Sequence, residues 1–323
     1  ALIEGLGAEK IPVTVAGPLG EKVSCYYGFL EETKTAVMEM ASAAGITLVI
    51  KKDPLRASTY GVGEMIADAL KRGCKNFMIG IGGSATNDGG IGMLKALGFE
   101  FFDEDGNDVG EGAAALAKIE VIRTENKNSL LSGAKFQIAC DVKNPLCGKQ
   151  GATYIFGPQK GVTEEQKSKV DEAMKHYADV TKESLGCDFA DCEGAGAAGG
   201  LGYAFLSYLA GELIPGVELI LQATGLEEKM KNADVVVTGE GRLDAQTVMG
   251  KAPVGVAALA KKYNAKVIAF AGSVAPEASV CNQTGIDAFF PIVRGVTTLE
   301  EAMKKENAME NIAATAEQVF RLL

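Results

Sequence analysis

The sequence predicts an α/β protein built on a parallel sheet and divided between two domains. Three observations carry this expectation. The stretch Lys75–Gly98, KNFMIGIGGSATNDGGIGMLKALG, reads as a strand, a tight glycine loop and a helix. The last third alternates short apolar strands with helices, the pattern of parallel strands joined by crossover connections. At 323 residues the chain also exceeds what one hydrophobic core usually holds.

The opening residues, ALIEGLGA, read as the tail of a helix with neither an initiator Met nor a capping residue ahead of it, so native residues are expected to precede them. KIPVTVAGPLG and KVSCYYGFL alternate as two strands joined by a Gly-Pro turn of hairpin type. Thr35–Ala44 mixes strand and helix signals and both remain open. In DPLRASTYGVGEMIADALKRG, Ser58 or Thr59 can cap a helix that runs to about Arg72 and is closed by Gly73. FEFFD reads as a strand, EDGNDV as a turn, and residues 111–132 as a connecting segment with a helix. The strand KFQIACDV leads into a long polar loop, KNPLCGKQGATYIFGPQKG; the polar residues of this region include Asp141, Asn144, Gln159 and Lys160. Residues 163–184 form a polar amphipathic helix and Tyr203–Leu213 a core helix. Strands ADVVVTGEGR, AKVIAFAGSV and IDAFFPIVRG then alternate with the helix APVGVAALAKKYN and the short helix or turn ASVCNQTG, and residues 298–323 give a final amphipathic helix.

Composition excludes several function classes. A net charge of −10 and a pI near 4.9 argue against a nucleic-acid backbone or an anionic membrane as partner. An acidic protein that binds an anion needs local donors, which glycine loops supply. Seven cysteines, odd in number and without a C-x-x-C pair, read as thiols of a reducing compartment. With no signal peptide visible, a cytoplasmic location is expected. Gly194–Gly211 is uncharged but carries six glycines, too interrupted for a membrane span. The single histidine, His176, lies in a charged helical run, which suits a structural role and disfavours Ser-His-Asp or His-ligated metal chemistry.

Two loops carry the chemistry. In the first, Gly82, Gly83, Ser84 and Thr86 leave room for a phosphate to approach unpaired main-chain N–H groups at a helix N-terminus. Asp88 beside them suggests a bound metal or a proton acceptor. The second loop, VVVTGEGRLDAQTVMGKAP, crowds Glu240, Arg242, Asp244 and Lys251 together. That set suits magnesium with phosphate, or else an ion-pair network capping the next helix. Function is favoured because both loops end strands of one apparent parallel sheet, where ligands bind. Arg56, Ser58, Thr59 and Tyr60 read either as a substrate-contacting loop or as an ordinary helix cap.

A rival reading comes from Gly80, Gly82 and Ala85, which fit G-x-G-x-x-A after a strand, with Asp103 in the ribose-binding place of a dinucleotide site. Against it, Asn87-Asp88-Gly89-Gly90 puts a carboxylate where a pyrophosphate would sit. Gly194, Gly196 and Gly199 fit the glycine pattern literally but follow Asp191, Cys192 and Glu193 rather than a strand; they read as a glycine-rich loop or close helix packing. Neither Gly148-Lys149 nor Gly250-Lys251 completes a Walker A loop.

In their order along the chain, GIGGSATNDGGIGMLKALG, ACDVKNPLCG, FGPQKG, GAGAAGGLG and VVTGEGRLDAQTVMGKAPVGVA resemble the bacterial glycerate kinase family of the glyoxylate- and sugar-acid-linked type, from about Glu4 to the C-terminus. The resemblance implies a kinase dependent on ATP and Mg2+ that acts on D-glycerate, commonly giving 2-phosphoglycerate. It also implies two α/β lobes, one Rossmann- or flavodoxin-like and one more irregular, with the active site between them. On that basis residues 45–98 and 216–323 are expected in the Rossmann-like domain, and 1–44 with 99–215 in the second. The departure lies at the front: the family's first strand with its Ser-Phe-Lys motif, and an Ala-Asp-Gly-Gly-Glu-Gly loop, are absent from these 323 residues. The natural chain is expected to carry them.

Under this resemblance Gly82, Gly83, Ser84, Ala85, Thr86 and Asn87 would cradle the phosphates of ATP. Lys160 and Arg242 would neutralise phosphate or carboxylate charge. Asp88 and Glu240 would hold Mg2+ or, with Asp244, act on the substrate hydroxyl, and Arg56, Ser58, Thr59 and Tyr60 would contact substrate. The expected partner is a small hydroxy acid, with no nucleic acid or membrane; the oligomeric state is not legible. Two alternatives stand beside the kinase: an NAD-dependent dehydrogenase of a small hydroxy acid, and a non-catalytic hydroxy-acid sensor.

Overall fold

The structure, a computed structural model, describes residues 2–245, 247–249 and 252–323. Eleven strands are described: β1 (Glu9–Ala16), β2 (Lys22–Leu30), β3 (Thr35–Glu39), β4 (Asn76–Gly80), β5 (Glu100–Phe102), β6 (Val121–Arg123), β7 (Lys135–Ala139), β8 (Glu212–Ile214), β9 (Val235–Leu243), β10 (Lys266–Val274) and β11 (Ala288–Pro291). The chain divides into two units, Ala1–Gly216 and Val217–Leu323.

The first unit is organised by a six-stranded mixed sheet of order β1-β2-β3-β4-β7-β8. The hairpin expected from KIPVTVAGPLG and KVSCYYGFL is β1 paired antiparallel to β2, with Val13 opposite Cys25. The stretch left open at Thr35–Ala44 divides into β3 and a short helix Ala41–Ala44. β2 and β3 are antiparallel, and from β3 onward the sheet is parallel: β3 with β4, β4 with β7, and β7 with β8. The central pair β4 and β7 buries one face: Phe77 and Ile79 of β4 and Phe136 and Ile138 of β7 are buried and alternate with less buried positions, and the Phe77 and Phe136 rings stack 4.7 Å apart.

The second unit holds a three-stranded sheet, β11-β10-β9, parallel throughout, as the alternating last third predicts. Its core gathers Leu243, Ala257, Ala260, Val267, Ala269, Ala271, Cys281 and Ile286. Among the described residues no helix is long and apolar enough to cross a membrane.

Several segments differ from expectation. Residues 45–98 lie in the first unit, because β4 pairs with β3 and β7; the sequence division placed them with 216–323. The two chemical loops therefore end strands of different sheets, not of one. The polar loop after β7 contains a helix, Ala152–Lys160, whose buried positions are Ala152, Thr153, Gly157 and Lys160. Two of those four are polar and a third is glycine, so the helical face carries no apolar period, and Pro158 adds a breaker signal. Residues 111–132 include β6, which pairs with β5 in a separate two-stranded sheet. The core helix starts earlier than expected, at Ala197, and is broken at Ala198–Gly200, all with positive φ. The final amphipathic stretch is two helices, Leu299–Ala302 and Lys305–Phe320. The opening helix is described from Leu2 to Gly5; Ala1 lies outside the described residues.

Candidate functional site

The glycine turn leaves the carboxyl end of β4 and enters the helix Ile91–Ala96. A pocket of about 230 Å³ opens there, lined among others by Gly82, Gly83, Ser84, Asp141, Gln159 and Lys160. It lies at the ends of the parallel strands β4 and β7, where α/β sheets bind ligands. Its volume is below the range for drug-sized ligands, about 300–1,000 Å³, and suits a small acid or a phosphoryl group.

The turn is held from three sides. Ala85 N–H donates to Ala44 O at 2.9 Å, fixing its base. On the second side, Lys160 Nζ donates to Thr86 O at 2.7 Å, and Asn87 Nδ2 donates to Thr153 Oγ1 at 3.0 Å, so both anchors come from the helix Ala152–Lys160. On the third, Gly89 N–H donates to Gly199 O at 2.9 Å. A Cβ on Gly199 would lie 2.2 Å from Thr86 O, and one on Gly196 2.2 Å from Pro145 O. The stretch GAGAAGGLG is thus close packing against the turn, as the sequence suggests. Among the described residues, the main-chain N–H groups of Gly82, Gly83 and Ser84 make no hydrogen bond inside the protein. Thr86 Oγ1 and Asn87 Oδ1 are buried without a partner among the described residues.

Asp88 is placed differently from the expectation. It is fully buried and absent from the pocket wall. Its Oδ2 accepts from Thr59 N–H and Thr59 Oγ1, both at 2.8 Å, and from Gly92 N–H at 3.3 Å, while Oδ1 accepts from Gly90 N–H at 3.2 Å. Burial pushes its carboxyl above the usual carboxylate range, and these donors act in the opposite direction. A carboxylate already serving four donors, with no solvent access, does not fit a metal ligand; it ties the turn to the start of the helix Tyr60–Lys71. Thr59 completes that tie by accepting from Met93 N–H at 2.9 Å.

The expected substrate loop is likewise structural in its middle. Thr59 stands at the N-cap of its helix but spends its hydroxyl on Asp88. Ser58 is buried, its Oγ accepts from Tyr60 N–H, and it packs where a Cβ on Gly92 would come within 2.3 Å. Arg56 is exposed and Tyr60 half-buried, and none of the four lines the pocket.

Lys160 is 1% exposed. Burial drives its ammonium group down to a pKa of about 7, against a smaller opposing pull from Asp88. The cost of burying this charge is full below pH about 7 and is relieved as pH rises from there toward the ordinary lysine value. The protein should therefore gain stability over that window relative to a Lys160→Met variant, read by urea unfolding at a series of pH values. Parallel pH profiles for the two proteins would show that Lys160 titrates normally.

In the second unit, Glu240 and Arg242 alternate along β9, opposite Ala271 and Ser273 of β10. Glu240 is half-buried and accepts from Thr247 Oγ1; the same hydroxyl accepts from Asp244 N–H at 3.1 Å. Arg242 is exposed. Lys251 lies outside the described residues. Among the described residues no three His, Cys, Asp or Glu side chains cluster as a metal site. Mg2+ bound with a nucleotide needs only one or two protein carboxylates, a requirement that Glu240 and Asp244 meet by chemistry and Asp88 does not.

Sequence reasoning singles out Asp141 and Gln159 in the long polar loop without a specific role, and passes over Thr153 and Thr247. Asp141 follows the carboxyl end of β7, a usable signal, and its Oδ1 accepts from Gly216 N–H at 2.7 Å. Thr153 and Lys160 are seven residues apart, a helical spacing that only recognition of the helix would reveal. Thr247 had no signal. The dinucleotide reading fails on geometry. Asp103 follows β5, which pairs with β6 and not with β4, and its Oδ1 is occupied by Asp105 and Asn107 N–H within its own turn. His176 is structural, its Nε2 2.7 Å from Ile119 O.

The class this defines is an α/β protein in which a glycine turn with open N–H groups and a buried lysine stands at the end of a parallel strand, the donor set of an anion site. Comparison with known proteins is more specific: the model of the glycerate kinase family matches residues 1–323, and the chain belongs to that family. It is 45% identical to a glycerate kinase of Bacillus subtilis, over 99% of this chain and 84% of that one. It is 46% identical to a glycerate 2-kinase of Escherichia coli, over 96% of this chain and 83% of that one. A crystal structure from Salmonella typhimurium LT2, assigned as glycerate kinase 2, superposes with a TM-score of 0.87 at 40% identity, covering 99% of this chain and 86% of that one.

Proposed function

We propose that this chain phosphorylates D-glycerate with ATP and Mg2+, and that the 2-hydroxyl is the acceptor. The observation that carries the reading is the turn Gly82–Asn87: open N–H groups beside a buried lysine, in a chain of the glycerate kinase family. The name of the Escherichia coli relative supports the 2-hydroxyl.

In this reading the N–H groups of Gly82, Gly83 and Ser84 hold anionic oxygens, Lys160 supplies the charge, and Ala85, Thr86 and Asn87 keep the turn in register. Asp88 and Thr59 are positioning residues. The second unit offers Glu240 and Asp244 to hold Mg2+, Arg242 to neutralise phosphate charge, and Asp244 as the candidate acceptor of the hydroxyl proton. Bound with nucleotide, Mg2+ neutralises the charge on the phosphate oxygens. The glycerate oxygen gains the terminal phosphoryl group, its proton leaves, and ADP departs. Positioning and charge carry most of such catalysis.

The test is ADP release by the purified protein with ATP, Mg2+ and D-glycerate, with the product identified by phosphorus NMR. The expected outcome is EDTA-sensitive turnover giving 2-phosphoglycerate. A 3-phosphoglycerate signal would overturn the assigned acceptor. Thermal stabilisation by D-glycerate with no ADP formed would replace the kinase with the sensor.

A further inference from the structure

The pocket of the first unit contains a lysine in an unusual state of satisfaction. Lys160 Nζ makes one hydrogen bond, to Thr86 O, so two ammonium hydrogens have no acceptor among the described residues. No carboxylate forms an ion pair with it among the described residues. The charged and titratable groups around it are few. Asp88 acts on it from the turn, but that carboxylate is committed to Thr59, Gly90 and Gly92. Asp141 and Cys140 share the pocket from the segment after β7; Asp141 is exposed and bonded to Gly216, and burial holds the Cys140 thiol in its neutral form. Lys52 lies beside the following residue, its β-carbon against Gly161. The same pocket is lined by Gly82, Gly83 and Ser84, whose main-chain N–H groups are open among the described residues. The pocket wall carries one carboxylate, Asp141, already bonded to Gly216 N–H, and its remaining groups are a surplus of donors.

We propose that this pocket binds an oxyanion together with one proton, which Lys160 takes up as the anion arrives. Empty, the pocket avoids a buried unpaired ammonium by holding the amine neutral; the pKa of about 7 expresses that balance. An anion against the open donors restores the reason for the charge, and the proton follows. A neutral analogue of the same shape brings no such gain. The inference deepens the proposed function, on which it rests for the identity of the anion: the glycerate carboxylate or a phosphoryl group.

Isothermal titration calorimetry in buffers of different ionisation heat counts the proton directly. The probes are sulfate and D-glycerate, neither of which changes protonation between about pH 6 and 9. The expected result is uptake of nearly one proton at about pH 8.5 and nearly none at about pH 6, with affinity falling about tenfold per pH unit in the alkaline range. Lys160→Arg, whose charge is permanent, should bind with no proton uptake, its fold checked by thermal melting. Should that variant fail to fold, the wild-type pH series decides alone. Uptake with sulfate only assigns the pocket to a phosphoryl group, and with glycerate only to the carboxylate. Binding of both probes without uptake, or of neither, overturns the proposal. ADP assays that fail while uptake persists would remove the kinase reading and leave the proton-coupled site standing.

Discussion

Gly199→Ala is expected to lower kcat/KM at least ~100-fold, the loss that an ångström of misplacement in a site can cause. The residue adopts φ +71° and sits where a Cβ would meet Thr86 O at 2.2 Å. That carbonyl is the acceptor for Lys160, and Gly199 O is itself the acceptor for Gly89 N–H. A methyl group therefore pushes on the turn at the point where its lysine is anchored. The left-handed backbone adds about 1–2 kcal/mol of strain for any residue with a Cβ. Its neighbour provides the control. Ala198 already occupies φ 53° and lines the pocket, so Ala198→Gly removes strain and should leave stability within about 1 kcal/mol of the parent. Steady-state kinetics and thermal melting of both variants check this. A Gly199→Ala protein with unaltered kcat/KM would show that the turn is not where the anion binds.

What the sequence disclosed was local. The strand, turn and helix around Gly82 and the alternating strands of the last third follow from apolar period and glycine punctuation, both readable within a window of twenty residues. Partners distant in sequence were not readable. Asp88 appeared as a carboxylate beside a phosphate site because Thr59, 29 positions away, gives no sign in sequence that it will cap it. The helix Ala152–Lys160 was hidden because it buries Thr153 and Lys160 toward the turn, replacing the apolar stripe with the groups that hold the site. The division of the chain was misplaced for a related reason. β4 leads into a glycine turn and β9 carries Gly239–Arg242 near its end, and alternation of apolar strands with helices does not say which strands share a sheet; strand pairing assigns these to two.

Asp88→Asn distinguishes most sharply between the sequence view and the structural one. As a metal ligand or base, Asp88 could lose its charge with the fold intact and turnover reduced by orders of magnitude. In the structure the same change sets an amide against buried donors: whichever oxygen is replaced, Thr59 and Gly92 or Gly90 lose an acceptor. Hydrogen bonds to a charged group contribute about 1.5–3 kcal/mol each, so a loss of roughly 3 kcal/mol and a fall of several degrees in Tm are expected. Activity should fall with the turn it positions, while the Mg2+ concentration for half-maximal rate stays the same. Thr59→Val removes the other half of the contact and strands Met93 N–H as well. Because the two residues share one interaction, the double variant should be more stable than the sum of the single losses predicts, with a coupling of about 1 kcal/mol or more. A variant with unchanged Tm, abolished turnover and no coupling to Thr59 would return Asp88 to the reacting atoms.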